Sequence, residues 1–154
     1  MIWINISICI ATFFFMECVA WFTHKYVMHG FMWKVHKDHH VRNPNSFFEL
    51  NDFFFLIFAA PGSFFIIYGS QIGLIYPLFW IGLGITIYGA AYFFVHDLFI
   101  HQRIKVLRRT KNPYLTGIRR GHKTHHKHLG KEKGECFGML LVPLKYFRFS
   151  NKRQ

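Results

Sequence analysis

Three long apolar runs alternate with polar segments along the chain. The runs cover residues 2–22, 53–69 and 72–95, and none of them contains a Lys or an Arg. Each approaches the roughly 20 residues that a helix needs to cross the hydrocarbon core of a membrane, although Pro61-Gly62 interrupts the second run. One such run would suit a buried helix of a soluble protein, but three in 154 residues do not. The pattern predicts an all-α integral membrane protein with about three transmembrane helices, or four, forming one membrane-embedded domain over residues 1–154.

The second and third runs are predicted to form a helical hairpin with its turn around Gly69 to Gly73. Small residues recur every four positions along the third run, at Gly82, Thr86 and Ala90. Small side chains allow two helices to approach closely. We interpret this stripe as a packing feature and not as a chemical site.

The basic residues lie outside the apolar runs. Four Lys and Arg fall between Lys25 and Arg42, and the other 15 fall between Arg103 and Arg153, against seven Asp and Glu in the chain, which gives a net charge of +12. The positive-inside rule then places residues 23–52 and 96–154 in the cytoplasm and the N-terminus outside. We expect a helical, His-rich cap on that face and a frayed tail after Phe149. Membrane orientation and anionic headgroups explain the basic charge without nucleic-acid binding.

Composition excludes several classes of protein. A disordered basic chain would be poor in apolar residues, whereas 52% of this chain is hydrophobic and 20 residues are Phe. The three cysteines form no C-x-x-C pair, so a disulfide scaffold, a Cys-rich zinc module and a four-Cys iron–sulfur site are excluded. We predict that Cys9 and Cys18 are packing residues. The chain also lacks a phosphate-binding loop, a dinucleotide fingerprint and a hydrolase triad.

Histidines carry the strongest chemical signal. The chain has 11, and ten of them form the pattern H-x4-H, H-x2-H-H, which occurs twice. All of the clusters fall just beyond apolar runs on one predicted face, where they can converge on one site. Neutral imidazoles are good ligands for divalent metals from iron to zinc. The proposed ligands are His24, His29, His36, His39, His40, His96, His101, His122, His125 and His126.

The spacing supports convergence. Residues i, i+3 and i+4 of a helix share one face, so His36, His39 and His40 can all point at one place. A helix that continued through Gly30 would align His29 with His36 and His40. The H-x4-H pairs are less simple, because five residues turn an ideal helix by about 140° beyond a full turn. Either the helix is distorted there, or the two histidines of a pair serve different metals.

Ten imidazoles indicate two metals with about five ligands each. A closed structural zinc needs four ligands and would leave six unexplained. Haem is a poor fit, since the histidines lie at and beyond the ends of the apolar runs. The paired Glu-x-x-His motifs of soluble di-iron carboxylate proteins are absent from the sequence. We exclude His128 as an extra surface residue and predict no catalytic residue beyond the metal ligands.

Carboxylates are the usual partners of the free N–H of a metal-bound imidazole. Glu17 is one candidate, because it lies inside the first apolar run on nearly the same helical face as His24; its alternative is a protonated or snorkelling carboxyl. Asp97, Asp38 and Asp52 are weaker candidates of the same kind, any of which can instead be a cap or a solvated residue.

Four stretches carry more information than the histidine spacing. They are MECVAWFTHKYVMHGFMWKVHKDHH from Met16, FFELNDFFF from Phe47, HDLFIHQR from His96 and GHKTHHKHLGKEKGECFG from Gly121. Together they cover most of residues 16–140. In these stretches the chain resembles the non-haem di-iron β-carotene hydroxylases of the fatty acid hydroxylase superfamily, with every histidine motif intact.

The resemblance implies a monooxygenase that hydroxylates carbon 3 of each β-ionone ring and converts β-carotene through β-cryptoxanthin to zeaxanthin. It implies two iron ions held by the ten histidines, O2 as co-substrate, reduced ferredoxin as external electron donor and a carotenoid drawn from the bilayer. In a bacterium the enzyme would lie in the inner or plasma membrane, with its active site on the cytoplasmic face. Arg108, Arg109, Arg119 and Arg120 would steer an acidic ferredoxin.

Other functions stay open at the level of sequence. Related di-iron enzymes hydroxylate fatty acyl or sterol chains, or oxidise carbon 4 of a carotenoid ring to a ketone. A His-rich membrane metal carrier is an alternative of another class. A carrier would need polar positions within the spans to carry the ion across, and only Glu17 is conspicuous there.

Overall fold

The computed structural model describes residues 1–41 and 46–147; the predicted fraying after Phe149 lies outside these residues. The described residues form helices and loops without a strand, which confirms the all-α fold. In chain order the helices are α1 (Ile2–Phe22), a π-helical segment (Thr23–Phe31), α2 (Trp33–His40), a 3₁₀ turn (Leu50–Asp52), α3 (Phe53–Ile72), α4 (Pro77–Phe93), a second π-helical segment (Phe94–Ile100), α5 (Pro113–His125) and a 3₁₀ turn (Leu144–Tyr146).

Three helical stretches of the described chain are long and apolar enough to cross a membrane, as predicted. They are Ile2–Phe31, Leu50–Ile72 and Pro77–Ile100. Only 17% to 22% of the most apolar window of each stretch is buried inside the protein. Large apolar side chains such as Trp3, Phe14 and Ile67 therefore point outward. Lipid can cover this surface, whereas exposure of so much apolar area to water is unfavourable.

Helix α4 lies between α1 and α3, which barely touch each other. Two glycines of α4 allow this close packing. A Cβ atom on Gly84 would lie 2.6 Å from the carbonyl oxygen of Cys9 in α1, and one on Gly82 would lie 2.7 Å from the backbone nitrogen of Ile66 in α3. Gly82 and Thr86 of the predicted stripe thus lie next to α3, although Thr86, like Ala90, is exposed.

The turn of the hairpin lies later than predicted. Helix α3 continues to Ile72, Gly73 ends it with a φ of +114°, and Pro77 begins α4. Gly69 is inside α3, where a Cβ atom would lie 2.4 Å from the backbone nitrogen of Phe79. This glycine therefore serves the contact between α3 and α4 and not the turn. Pro61 also lies within α3 without ending it.

Two further predictions need correction. The helix does not continue through Gly30, which has the non-helical angles φ −96° and ψ −122°. The chain changes direction there, and α2 begins at Trp33. Cys9 is buried, as expected of a packing residue, but Cys18 is exposed on the outer surface of α1.

Candidate metal centre

Nine histidines form two clusters at one end of the membrane helices. The first cluster contains five, the second cluster four, and within each cluster one potential ligand atom per residue lies within 4.8 Å of all the others. Every ring is buried except that of His101, which is half-buried. The first cluster is His24, His29, His36, His40 and His125; the second cluster is His39, His96, His101 and His122.

Both H-x4-H pairs lie in or at the end of π-helical segments. The backbone N–H of His101 donates to the carbonyl of His96 at 2.9 Å, five residues earlier, which is the π-helical pattern. The wider turn brings residues five apart to the same side. His24 and His29 accordingly both face the first cluster, and His96 and His101 both face the second. Of the two alternatives for these pairs, the structure shows the distorted helix.

Each H-x2-H-H motif is divided between the clusters. In α2, His36 and His40 face the first cluster, whereas His39 faces the second; in α5, His125 faces the first and His122 the second. The expectation that all three histidines of a motif point at one place is therefore wrong. Each helix lies along the boundary between the two clusters and contributes to both.

His126 lies beside both clusters but belongs to neither. Its ring stacks on that of His40 with centroids 4.5 Å apart, and its centroid lies 4.6 Å from that of His122. Its Nε2 atom is buried and has no hydrogen-bond partner among the described residues. The side chain of His128 lies outside both clusters, but its carbonyl oxygen accepts a hydrogen bond from Nδ1 of His40 at 3.0 Å.

The hydrogen bonds of the first cluster fix where its protons lie. Nδ1 of four of its histidines lies 2.9 to 3.0 Å from a backbone carbonyl oxygen. A carbonyl can only accept, so Nδ1 carries the proton and Nε2 of the neutral ring has a bare lone pair. The four pairs are His24 with Phe137, His29 with Lys131, His40 with His128, and His125 with Glu135.

These lone pairs point at one another. Nε2 of His29 lies 3.2 Å from Nε2 of His40 and 3.2 Å from Nε2 of His125, and Nε2 of His24 lies 3.2 Å from Nε2 of His36. Lone pairs facing each other at this distance repel unless a cation lies between them. Two imidazoles bound to one metal ion at about 2.1 Å hold their nitrogens roughly 3.0 to 3.4 Å apart, for angles between 90° and tetrahedral. The donor set therefore fits a metal ion.

In the second cluster, pairs of Nε2 atoms also lie close to one another. Nε2 of His39 lies 2.9 Å from Nε2 of His96, and Nε2 of His101 lies 2.9 Å from Nε2 of His122. Nδ1 of His39 donates to Glu49 at 2.7 Å, and Nδ1 of His96 donates to Asp97 at 3.2 Å. The Nε2 atoms of His39 and His96 are thus again free of protons and directed at a common centre.

Burial keeps these rings neutral. It lowers the pKa of His36 to about 2, that of His40 to about 4 and that of His125 to about 3, with neighbouring imidazoles acting in the same direction. A hydrogen bond to Asn51 partly opposes the change in the pKa of His36. Neutral imidazole is the form that binds metal, so no proton has to leave on binding.

Sequence reasoning missed three residues around the clusters. Glu49 and Asn51 accept hydrogen bonds from His39 and from His36, the latter at 2.6 Å. Arg103 donates to Asp97 at 2.9 Å and to Glu49 at 3.3 Å. The segment FFELNDFFF, in which three polar residues interrupt a run of Phe and Leu side chains, was the available signal for the first two.

Four carboxylates were predicted to orient imidazoles, and their contacts differ. Asp97 accepts from His96. Glu17 instead accepts from the Tyr88 hydroxyl and from three backbone N–H groups of residues 139–141. Asp38 accepts from the backbone N–H groups of residues 50 and 51, and Asp52 pairs with Arg103. Among the contacts of the described residues, Glu17, Asp38 and Asp52 have none with an imidazole.

An apolar cavity of about 390 Å³ borders the second cluster. Its walls come from all three membrane helices, with Phe54 and Phe58 from α3, Tyr88 and Tyr92 from α4, and Met16 and Ala20 from α1. His96 and Asp97 form part of its wall next to the cluster. Since α1 and α3 barely touch, the cavity lies in the cleft between them, with α4 as its floor.

The four arginines predicted to form a basic face differ in exposure. Arg119 donates to the carbonyl oxygens of Phe99 and Leu107 at 3.2 Å, and its guanidinium carbon lies 4.0 Å from the centre of the Phe99 ring. Burial lowers the pKa of Arg119. Arg108, Arg109 and Arg120 are exposed. The predicted basic face therefore comprises these three side chains, while Arg119 holds the fold.

Comparisons with known proteins show which family the chain is similar to. The model of a family described as fatty acid hydroxylase matches residues 9–145. A β-carotene hydroxylase of Pantoea ananas is 41% identical over 93% of this chain and 81% of its own length. One from Pseudescherichia vulneris is 39% identical over 89% and 76%, and the chloroplastic β-carotene 3-hydroxylase 2 of Arabidopsis thaliana is 38% identical over 83% and 42%. No solved structure matches the chain significantly.

Proposed function

The chain belongs to the fatty acid hydroxylase family, and we propose that it is a di-iron β-carotene hydroxylase that acts on carbon 3 of the β-ionone rings. The observation that carries the proposal is the pair of histidine clusters, one of which borders an apolar cavity within the membrane helices. The names of the similar proteins in bacteria and plants support the substrate.

We propose that each cluster holds one iron and that His126 completes the set of ten ligands. Nine of the ten Nε2 atoms are already directed at two centres, and that of His126 is buried without a partner among the described residues. Bound iron supplies the activation of O2, which the side chains of this protein cannot perform themselves. Hydroxylation consumes one O2, two electrons and two protons for each C–H converted to C–OH, and it releases one water.

The cavity is suited to hold the ring of a carotenoid. Its walls are mostly aromatic and aliphatic, as suits a hydrocarbon ring, while Asn51, Asp52 and Arg103 join His96 and Asp97 as the charged and amide side chains of its lining. The cleft between α1 and α3 gives a path from the bilayer, where a carotenoid dissolves. Apolar walls also exclude water from the reacting carbon.

The electrons are proposed to come from a reduced ferredoxin on the cytoplasmic side. The proposal is supported by the exposed arginines Arg108, Arg109 and Arg120, which are placed to attract an acidic protein. The positive-inside rule supports the same orientation. All the Lys and Arg lie in residues 25–42 and 103–153, which the three predicted spans place on one side of the membrane. In a bacterium this membrane would be the inner or plasma membrane.

Expression in bacteria that accumulate β-carotene tests this function. With iron and a ferredoxin system present, we expect hydroxylated carotenoids, β-cryptoxanthin and zeaxanthin, in the pigment extract. Chromatography of pigments and lipids from the same culture separates the alternatives: a keto group on the ring indicates a ketolase, and hydroxylated acyl chains or sterols indicate another member of the family. Absence of any oxygenated product, with exchangeable zinc bound, would favour a metal carrier.

A further inference from the structure

The two clusters differ in the groups that accept hydrogen bonds from their Nδ1 atoms. Behind the first cluster, every acceptor found is a neutral oxygen: four backbone carbonyls and the side-chain amide of Asn51. Behind the second cluster, two of the acceptors are carboxylates, Glu49 at 2.7 Å from His39 and Asp97 at 3.2 Å from His96. The difference lies in charge and not only in geometry.

Arg103 holds both carboxylates. Its Nε donates to Asp97 at 2.9 Å and its Nη2 donates to Glu49 at 3.3 Å. The same guanidinium forms a two-point pair with Asp52, with distances of 2.5 and 3.0 Å. All four side chains are at least two-thirds buried, so the charges act with little screening by water. One Arg faces three carboxylates, which leaves the environment of the second cluster negative.

A carboxylate that accepts from the free N–H of an imidazole makes that imidazole a stronger electron donor to a metal. A stronger donor and a nearby negative charge both stabilise the more positive oxidation state of the metal. A neutral carbonyl has the same effect to a smaller degree. The acceptors of the two clusters therefore act on their metals with different strength.

We propose that Glu49, Asp97 and Arg103 make the two irons electronically unequal, so that the iron of the second cluster is the harder one to reduce. The inference rests on the proposed di-iron centre. Glu49, Asp97 and Arg103 act through the histidines as positioning residues. Because His96 also lines the cavity, the more readily oxidised iron is the one beside the substrate.

Mössbauer spectroscopy of the purified full chain, loaded with ⁵⁷Fe and reduced stepwise with dithionite and redox mediators, tests the proposal. Each step is Fe(III) plus one electron from dithionite to give Fe(II). We expect one half of the iron to become ferrous at a higher potential than the other half. Simultaneous reduction of both halves in the wild-type protein would overturn the inference.

Substitutions test which residues cause the difference in reduction potential. Glu49→Gln and Asp97→Asn keep an acceptor oxygen but remove its charge, so each should raise the potential of the late-reducing half and leave the other half unchanged. Asn51→Asp is the matched control, because it adds a carboxylate behind His36 and should lower the potential of the early-reducing half. Equal movement of both halves in Asp97→Asn, or movement of the late half in Asn51→Asp, would contradict the proposal.

Iron content distinguishes failure of the proposed di-iron function from failure of the proposed inequality of the two irons. A chain that binds no iron refutes the proposed di-iron function itself. A chain that binds two irons which cannot be distinguished refutes only the inequality. If Glu49→Gln loses iron, the wild-type titration and the Asp97→Asn and Asn51→Asp variants still decide the question.

Discussion

Glu17 in α1 accepts a hydrogen bond from the backbone N–H of Met139 at 2.8 Å, across 122 positions of sequence. The same oxygen accepts from the N–H groups of Leu140 and Leu141, and the other oxygen accepts from the Tyr88 hydroxyl. The anchored segment follows directly on Glu135 and Phe137, whose carbonyls accept from His125 and His24. A buried carboxylate in a membrane helix thus fixes the loop that orients two histidines of the first cluster.

Glu17→Gln should therefore weaken iron binding at the first cluster. The amide offers one acceptor oxygen without charge, and hydrogen bonds to a charged group contribute about 1.5 to 3 kcal/mol each. We expect faster loss of about one of the two irons to a chelator, measured by metal analysis over time. Tyr88→Phe is the control, since it removes one hydroxyl and leaves the loop bonded to Glu17. Iron loss from Tyr88→Phe as fast as from Glu17→Gln would contradict the role of the loop.

Substitution of single histidines should affect one cluster at a time. His125→Ala removes a proposed ligand of the first cluster and His39→Ala a proposed ligand of the second, so each should lower iron towards one per chain and abolish hydroxylation. His128→Ala keeps the backbone carbonyl that accepts from His40 and should retain most activity. Metal analysis and product chromatography measure both effects. Equal losses in the three variants would refute the ligand assignment.

The cavity can be filled at Gly89 without straining the fold. A Cβ atom at this position meets nothing within 4 Å, and the residue lines the cavity. Gly89→Leu should therefore raise the KM for β-carotene or abolish turnover while the iron content stays unchanged. Ile87→Leu, on an exposed position of the same helix, serves as the control. Wild-type kinetics in Gly89→Leu would show that the substrate binds elsewhere.

Electron transfer from soluble ferredoxin should slow as salt is raised, because screening weakens attraction between exposed charges. The double variant Arg108→Gln, Arg109→Gln should lower the rate with limiting ferredoxin and reduce its salt dependence. Reduction by dithionite should be unaffected in the variant. A ferredoxin-dependent rate that changes neither with salt nor with these substitutions would contradict the proposed attraction of ferredoxin. The basic charge would then be explained by membrane orientation alone.

The apolar runs and the histidine repeat were sufficient to predict the three spans and the ligand candidates. Composition and spacing could not predict how the helices distort. The π-helical turns at His24–His29 and His96–His101 depend on backbone hydrogen bonds that local sequence does not reveal. The division of each H-x2-H-H motif depends on how α2 and α5 are placed beside the two clusters. The partners of the imidazoles were predicted as carboxylates, whereas most are backbone carbonyls of residues 128–137. Carbonyls are present at every residue, so no pattern marks them.

Incorporation of ¹⁸O from ¹⁸O2 tests the central claim most directly. Purified protein containing two irons, supplied with β-carotene in vesicles and reduced ferredoxin, should give hydroxylated carotenoid with one ¹⁸O atom per modified ring by mass spectrometry. The iron-depleted protein should give none. Unmodified β-carotene from the iron-loaded protein, or product whose oxygen comes from water, would contradict the account.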